Sequence, residues 1–510
     1  MQYQIALNKT GTYEDSHRNI EDLDMKLKYA KVQNQREDTM SRNKDVIIIG
    51  AGTAGLSALR EVRKSTDNFL LINDGPYGTT CARVGCMPSK ALIEAANAFH
   101  RRHAFEAFAI RGSEQLTIDV PAVLRRVRTL RDKFVAGVLE TTAALGERNL
   151  AGRARLIGPN RVVVNDQQFA ARRIIIATGS RPIIPQPWTE FAERILTTDN
   201  LFEQQDLPHR LAVIGMGVIG VEIAQALSRL GLDVVAFDSG TQFAGLNDPQ
   251  INAAFSQLLQ QEFPCYTGSE AQVSATADGL LVKNQEHEVA VDKILVAIGR
   301  QPNLADLGLE TLGIELDKRG MPPCDPTTMR IADLPVFLVG DANGQVPLLH
   351  EAADEGHIAG LNATRESCHC FTRRTPLAIV FCDPNVAMVG ERFEDMDAHA
   401  MIIGEADFKG QGRARTAEKN KGLMRIYAEK SSGRLLGAEM CVPDAEHMAH
   451  LLALAIGQNM TVWELLRTPF YHPVLEEGLR GALRQLARQL PEGDESDLAT
   501  CGSFQCEALD

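Results

Sequence analysis

Two cysteines, Cys81 and Cys86, stand with four residues between them in GTTCARVGCMPSK, residues 78–90. Such a pair could be a staple, half of a metal site or a redox couple. A metal site needs two more ligands at matching spacing. The nearest candidates, Cys368-His369-Cys370, lie far off in the chain with no companion CxxC. A staple closing so small a loop stabilises little, and a reducing compartment would open it. Redox chemistry has positive support. MPSKALIEAANAFH reads as a helix, which places Cys86 in or just before its first turn, where free N–H groups and the dipole favour a thiolate. In a regular helix, residues five apart have Cα atoms about 8.7 Å from one another, beyond the ~6.8 Å that a disulfide spans. The segment is therefore expected to be irregular between the cysteines, and Gly85 is placed to allow it.

A dithiol needs a base. FYHPVLEEGLRGALRQLARQL, near the carboxyl end, reads as a periodic helix headed by His472-Pro473, with Pro473 suited to the first helical position. Glu477 follows His472 by five residues, near enough to orient one ring nitrogen and leave the other to exchange a proton with a thiol.

These groups need a scaffold and an electron acceptor. In DVIIIGAGTAGLSALREVRKSTDNFLLIND a buried-strand pattern runs into Gly50-x-Gly52-x-x-Gly55, then a helix and a second apolar strand. The first glycine permits the tight turn, the second lets backbone approach a pyrophosphate, and the third lets helix and strand pack closely. The helix N-terminus then faces the phosphates. The same grammar recurs at 211–238 with Gly215, Gly217 and Gly220, and there the second strand ends in Asp238. An acid at that place accepts ribose hydroxyls and repels a 2′-phosphate, which favours NAD over NADP. Each fingerprint is paired with a later apolar strand running to a glycine: IIIATGSRP, with Thr178 and Gly179, and ILVAIGRQP, with Gly299. A third such strand, VFLVGDA, ends in Gly340-Asp341. Two dinucleotides side by side imply hydride transfer between them.

With 510 residues the chain has length for three or four domains. It shows no membrane-length apolar run and no secretory signal. Ten cysteines are too dilute for a disulfide scaffold, and the net charge of -13 argues against nucleic acid or anionic membrane as partner. A cytoplasmic enzyme is expected. Residues 1–44 read as a disordered extension or the product of an upstream start codon, and 491–510 as an acidic tail carrying Cys501 and Cys506.

Together these motifs resemble the pyridine nucleotide-disulfide oxidoreductases with a C-x4-C redox centre, over about residues 44–490. The resemblance implies an α/β fold with two Rossmann-like dinucleotide-binding domains, for FAD and NAD, plus a C-terminal α+β dimerisation domain. Its implied parts are an FAD-binding domain at 45–190, an NAD-binding domain at 191–305, a central domain completing the FAD site at 306–373 and an interface domain at 374–490. It further implies a homodimer in which His472 and Glu477 serve the other subunit's Cys81. Cys81 would be the interchange thiol and Cys86 the thiol against the flavin, with Lys90 and Glu222 an ion pair near the flavin. Asp341 would bond the ribityl chain, and the backbone at Gly152 would meet the adenine part of FAD. The expected reaction is FAD-dependent oxidation of dihydrolipoamide, carried by the lipoyl domain of a 2-oxo acid dehydrogenase complex, with NAD as final acceptor. The alternative is reduction of another disulfide or of mercuric ion. Three departures stand out: the usual acid ending the second strand is Asn73, able to reach one ribose hydroxyl; CLNxGC is CARVGC, with Arg83 a cation beside the dithiol; and His-Ala-His-Pro is Phe470-Tyr471-His472-Pro473.

Overall fold

The computed structural model describes residues 42–490; the extension up to residue 41 and the tail at 491–510, with Cys501 and Cys506, lie outside the described residues. An all-aliphatic run such as Val46 to Ile49 suits a strand covered on both faces. It forms the buried part of β1 (Asn43–Ile49). Next come α1 (Thr53–Val62), β2 (Phe69–Asn73), a single turn α2 (Thr80–Arg83), α3 (Cys86–His100) and the long α4 (Val120–Ala143). The chain then adds β3 (Asn149–Ala151), β4 (Arg155–Leu156), β5 (Arg161–Val164) and β6 (Gln167–Ile176). β3, β2, β1 and β6 are parallel neighbours in that order, and β5 and β4 continue antiparallel from the first half of β6.

After β7 (Ser180–Pro182) a second parallel sheet is built from β8 (Ile195–Leu196), β9 (Arg210–Ile214), α5 (Val218–Arg229), β10 (Asp233–Asp238), α6 (Pro249–Leu259) and β11 (Cys265–Thr267). A three-stranded antiparallel sheet, β12 (Gln272–Ala275), β13 (Leu280–Lys283) and β14 (Glu288–Val291), precedes β15 (Lys293–Val296), which returns to the parallel sheet in the order β11-β10-β9-β15-β8. β16 (Arg300–Pro302) then pairs antiparallel with β7, so exit and return lie side by side. β17 (Val336–Leu338) rejoins the first sheet parallel to the second half of β6. α7 (Leu349–Ala363) lies on α1 at close range. A Cβ on Gly356 would stand 2.1 Å from the carbonyl of Ala54, and one on Gly360 2.7 Å from that of Ala58.

The last sheet is antiparallel, from β18 (Leu377–Val380), β19 (Asn385–Gly390), β20 (Met401–Asp407), β21 (Leu423–Glu429) and β22 (Leu435–Val442), in the order β18-β19-β22-β21-β20. α8 (Ala445–Gly457) packs on β19 and β22, and α9 (Glu477–Ala487) on β20. α9 corrects the sequence reading, since it starts at Glu477 rather than at Pro473. The Glu477 carboxylate accepts from the Val474 N–H and bonds the His472 ring, so residues 472–476 wrap around it as a turn. A buried polar joint fastens the second parallel sheet to this one. The fully buried Asp248, which caps α6, takes Arg425 at 2.6 Å and the Tyr427 hydroxyl at 2.8 Å, while Glu439 accepts from the Asn247 and Asp248 N–H groups. Among the described residues no helix is long and apolar enough to cross a membrane.

Candidate active site

The dithiol segment is irregular as the cysteine spacing demands. Thr79, at φ +56°, turns the chain and accepts from the Ala82 N–H at 3.1 Å, capping α2. Gly85, at φ -121° and ψ -121°, folds α2 back against the start of α3; a Cβ there would stand 3.0 Å from the Thr80 carbonyl oxygen. Cys86 is the first residue of α3, and both thiols are free. They are unequal. A hydrogen bond from the Cys81 thiol, followed by the charge of Lys90, brings Cys86 down to about 6. The same hydrogen bond, with burial, pushes Cys81 well above the usual thiol range. These effects favour the proton on Cys81 and the negative charge on Cys86. Lys90 is thus the cation that acts on both thiols. Arg83 instead runs its Cδ toward Gly78, beside Val135 of α4.

Lys90 is set by α5. Its Nζ lies 2.8 Å from Glu222, which is buried and also accepts from the Phe381 N–H, and the ammonium sits 4.6 Å over the Phe381 ring. Two further polar residues of α5 continue this seam. Gln225 exchanges two hydrogen bonds with the backbone of Asp383, and Arg229 reaches Glu262, Asp383 and Asn97 of α3 at 2.7, 3.0 and 2.6 Å. α3 and α5 are therefore joined at two rungs, Lys90 to Glu222 and Asn97 to Arg229, each taking one residue from either helix.

Two cavities meet at Asp341 and Arg300. The first, about 430 Å³, is lined by Gly52, Cys81, Cys86, Lys90, Glu222 and Gly179, among others. The second, about 1150 Å³, is lined by Gly215, Gly217, Asp238 and Gly299 among others. Asp341 takes a hydrogen bond from Ser180 at 2.7 Å, and Arg300 binds the same serine. The residues fit two dinucleotides. Cβ atoms on Gly52 and Gly217 would meet nothing within 4 Å, which leaves open backbone at both helix N-termini, whereas on Gly55 and Gly220 they would strike the Gly50 and Gly215 carbonyls at 1.9 and 1.8 Å. The buried Thr178 hydroxyl, between Ala177 and Gly179 of the first cavity's lining, has no partner among the described residues. Gly152 donates its N–H to the Asn73 carbonyl. Asn73 itself accepts from the Ala51 N–H at 3.0 Å and donates to the Gly75 carbonyl, so its side chain braces the loop.

His472 Nδ1 bonds Glu477 at 2.9 Å, a contact that holds this carboxyl below its usual range. Its side chain is 81% exposed and lines neither cavity. Within one chain the structure does not bring His472 to the dithiol. Sequence reasoning missed Phe381, Arg300 and His450 as cavity residues. Phe381 and His450 come from elements remote in sequence, and no spacing announced them, whereas Arg300 directly follows the predicted Gly299.

The family of pyridine nucleotide-disulphide oxidoreductases matches residues 44–356, and its dimerisation domain matches 377–483. The dihydrolipoyl dehydrogenase of Thermus scotoductus is 31% identical over 87% of this chain and 98% of its own, and that of Chlamydia pneumoniae 32% over 86% and 96%. Among solved structures, LpdA of Mycobacterium tuberculosis superposes with a TM-score of 0.76 at 26% identity, covering 87% of this chain and 99% of its own. The flavoprotein disulfide reductase RclA of Escherichia coli shares the fold, with a TM-score of 0.76 at 21% identity over 87% of this chain and 99% of its own. Two glycine fingerprints, an unequal thiol pair and these matches agree: the chain belongs to the pyridine nucleotide-disulphide oxidoreductases, and it is an FAD- and NAD-linked disulfide oxidoreductase.

Proposed function

We propose that the protein oxidises dihydrolipoamide, carried by the lipoyl domain of a 2-oxo acid dehydrogenase complex, and does so as a homodimer. The observation that carries this reading is the placement of the thiols, with Cys81 and Cys86 lining one cavity and Cys86 heading α3 one turn before Lys90, which Glu222 holds. That relatives of this chain are dihydrolipoyl dehydrogenases supports dihydrolipoamide as the substrate. In the oxidised enzyme Cys81 and Cys86 form a disulfide. One substrate thiol gives its proton to His472 of the partner subunit and attacks Cys81 sulfur, which releases Cys86 as the thiolate. The second substrate thiol attacks the substrate sulfur bonded to Cys81, its proton passing to the departing Cys81 sulfur, and closes the product disulfide; the enzyme is left two electrons richer, with a Cys81 thiol and a Cys86 thiolate. FAD, held at the cavity lined by Gly52, Cys86 and Lys90, would supply the two-electron relay between the Cys86 thiolate and NAD. Lys90 stabilises Cys86 as the anion once the disulfide has opened, and Glu477 orients the imidazole and stabilises its charged form. In this reading residues 45–190 and 306–373 hold FAD, residues 191–305 hold NAD, and residues 374–490 form the interface.

The exposed, rigidly paired His472, out of reach of its own dithiol cavity, supports the exchange between subunits. The test is turnover of lipoamide, oxidised glutathione and mercuric ion with NADH, in the wild type and in His472→Gln. Lipoamide should lead by at least about tenfold, and the variant should lose on the order of 10²-fold or more in kcat. A preference for either of the other acceptors would refute the substrate assignment. Co-expressing His472→Gln with Cys81→Ser should restore part of the activity, because mixed dimers then hold one intact site; no restoration would refute the exchange of His472 between subunits.

A further inference from the structure

The cavity that takes the pyridine nucleotide has a second acid that the fingerprint does not predict. We infer that Glu270, together with Asp238, selects against 2′-phosphorylated dinucleotides, and that Glu270 carries much of this selection. The inference rests on the NAD assignment of this cavity.

Four charged side chains line the cavity: Asp238, Glu270, Arg300 and Asp341. Arg300 and Asp341 lie at the end shared with the first cavity, and the guanidinium is engaged by Ser180 Oγ and its carbonyl at 2.8 and 2.7 Å. The opposite end holds Asp238, Ser239 and Glu270, with no lysine or arginine among the lining residues there. The fold makes Glu270 a neighbour of Asp238. Thr267, the last residue of β11, pairs with Asp238 at the end of β10, and beyond them the Gly268 N–H donates to the Gly240 carbonyl at 3.0 Å. The chain leaving β11 is thus laced to the chain leaving β10, and Glu270 follows two residues later.

The two carboxylates are differently placed to repel an anion. Asp238 accepts from the Met216 N–H with one oxygen and from the Gly240 N–H at 2.7 Å with the other. Two peptide dipoles point their positive ends at it, which weakens the negative potential it projects into the cavity. Glu270 is exposed and has no hydrogen-bond or ion-pair partner among the described residues. Its charge therefore acts on a nearby phosphate with only solvent and salt to screen it. At ~0.01 M ionic strength the screening length is about 30 Å and at ~0.15 M about 8 Å, so the selection should weaken as salt rises.

Calorimetric binding of ADP-ribose and of 2′-phospho-ADP-ribose to the holoenzyme at low ionic strength tests this without turnover. The wild type should prefer ADP-ribose. Glu270→Gln should reduce the ratio of the two dissociation constants by about fivefold, chiefly by tightening the phosphorylated ligand, and Glu270→Lys should reduce it further. The same ratio in the wild type should fall as salt is added. A ratio within twofold of wild type in both variants, with melting temperatures unchanged, would overturn the role of Glu270 while leaving the NAD site standing. Failure of the wild type to bind ADP-ribose at all would overturn the inference together with the assignment of the cavity.

Discussion

The two dinucleotide halves use one backbone solution and differ at its end. In each, the first glycine has a positive φ, +110° at Gly50 and +97° at Gly215, and a Cβ would strike a carbonyl of the following strand, that of Ala177 or Ala297. In each, the residue ending the second strand accepts from the N–H between the first two glycines, Asn73 from Ala51 and Asp238 from Met216. Beyond that bond they part. Asn73 spends its amide N–H on the Gly75 carbonyl, whereas Asp238 turns its second oxygen to the Gly240 N–H. One position thus needs a donor and the other an acceptor. The glycines are fixed by collisions that any such loop must avoid, while the side chain at the strand end answers to the local peptide orientation and sets the charge facing the nucleotide.

The sharpest way to break the parallel is Gly55→Ala against Gly220→Ala. Both would drive a methyl into a carbonyl at under 2 Å, but they belong to different sheets. Gly55→Ala should yield protein without flavin, read from its visible spectrum, whereas Gly220→Ala should keep its flavin and lose NADH affinity by on the order of 10²-fold. Loss of flavin in both would mean the halves do not fold separately.

Exchanging the strand ends is a smaller perturbation. Asp238→Asn sets a donor against the Gly240 N–H or leaves that N–H without its acceptor, which costs about 1–3 kcal/mol and should weaken NADH binding roughly tenfold by titration. Asn73→Asp sets a carboxylate against the Gly75 carbonyl and should lower the melting temperature by a few degrees, with about 1 kcal/mol lost.

The smallest effect lies where the halves touch. Alkylation of Cys86 in the reduced enzyme should follow a midpoint near the value of about 6 set by the Cys81 hydrogen bond and Lys90. The thiolate, which is the reactive form, is populated above that midpoint and lost as pH falls through it. Lys90→Met removes the cation and should raise the midpoint by about one unit. Glu222→Gln removes a carboxylate whose charge opposes the thiolate, and should also loosen Lys90, so its midpoint should move less. A Lys90→Met midpoint equal to wild type would leave the Cys81 hydrogen bond as the sole cause.

What the sequence made legible is what is local. The glycine fingerprints, the kink at Gly85 and the pairing of His472 with Glu477 each span at most a turn or two, so spacing alone could carry them. The start of α9 was misread because Pro473 favours a first helical position in general, whereas here the Glu477 carboxylate draws the preceding residues into a turn. The two backbone bonds of the Asn73 amide, from the Ala51 N–H and to the Gly75 carbonyl, depend on the loop's fold and were not legible in its spacing. The joint of Asp248 with Arg425 and Tyr427 joins residues 177 and 179 positions apart, and no periodicity encodes such a meeting.

The seam along α5 has a consequence for how such enzymes can be recombined. Glu222, Gln225 and Arg229 share one face of that helix and hold Lys90, Asn97 and the backbone of Phe381 and Asp383. A nicotinamide half transplanted from a relative by cutting at β7 and β16 would arrive with its own α5. Unless positions 97 and 383 travelled with it as matched partners, a guanidinium that is 1% exposed would keep Glu262 and lose its other two anchors. The unit of exchange in this architecture is therefore the nucleotide half together with the strip of polar residues that receives it.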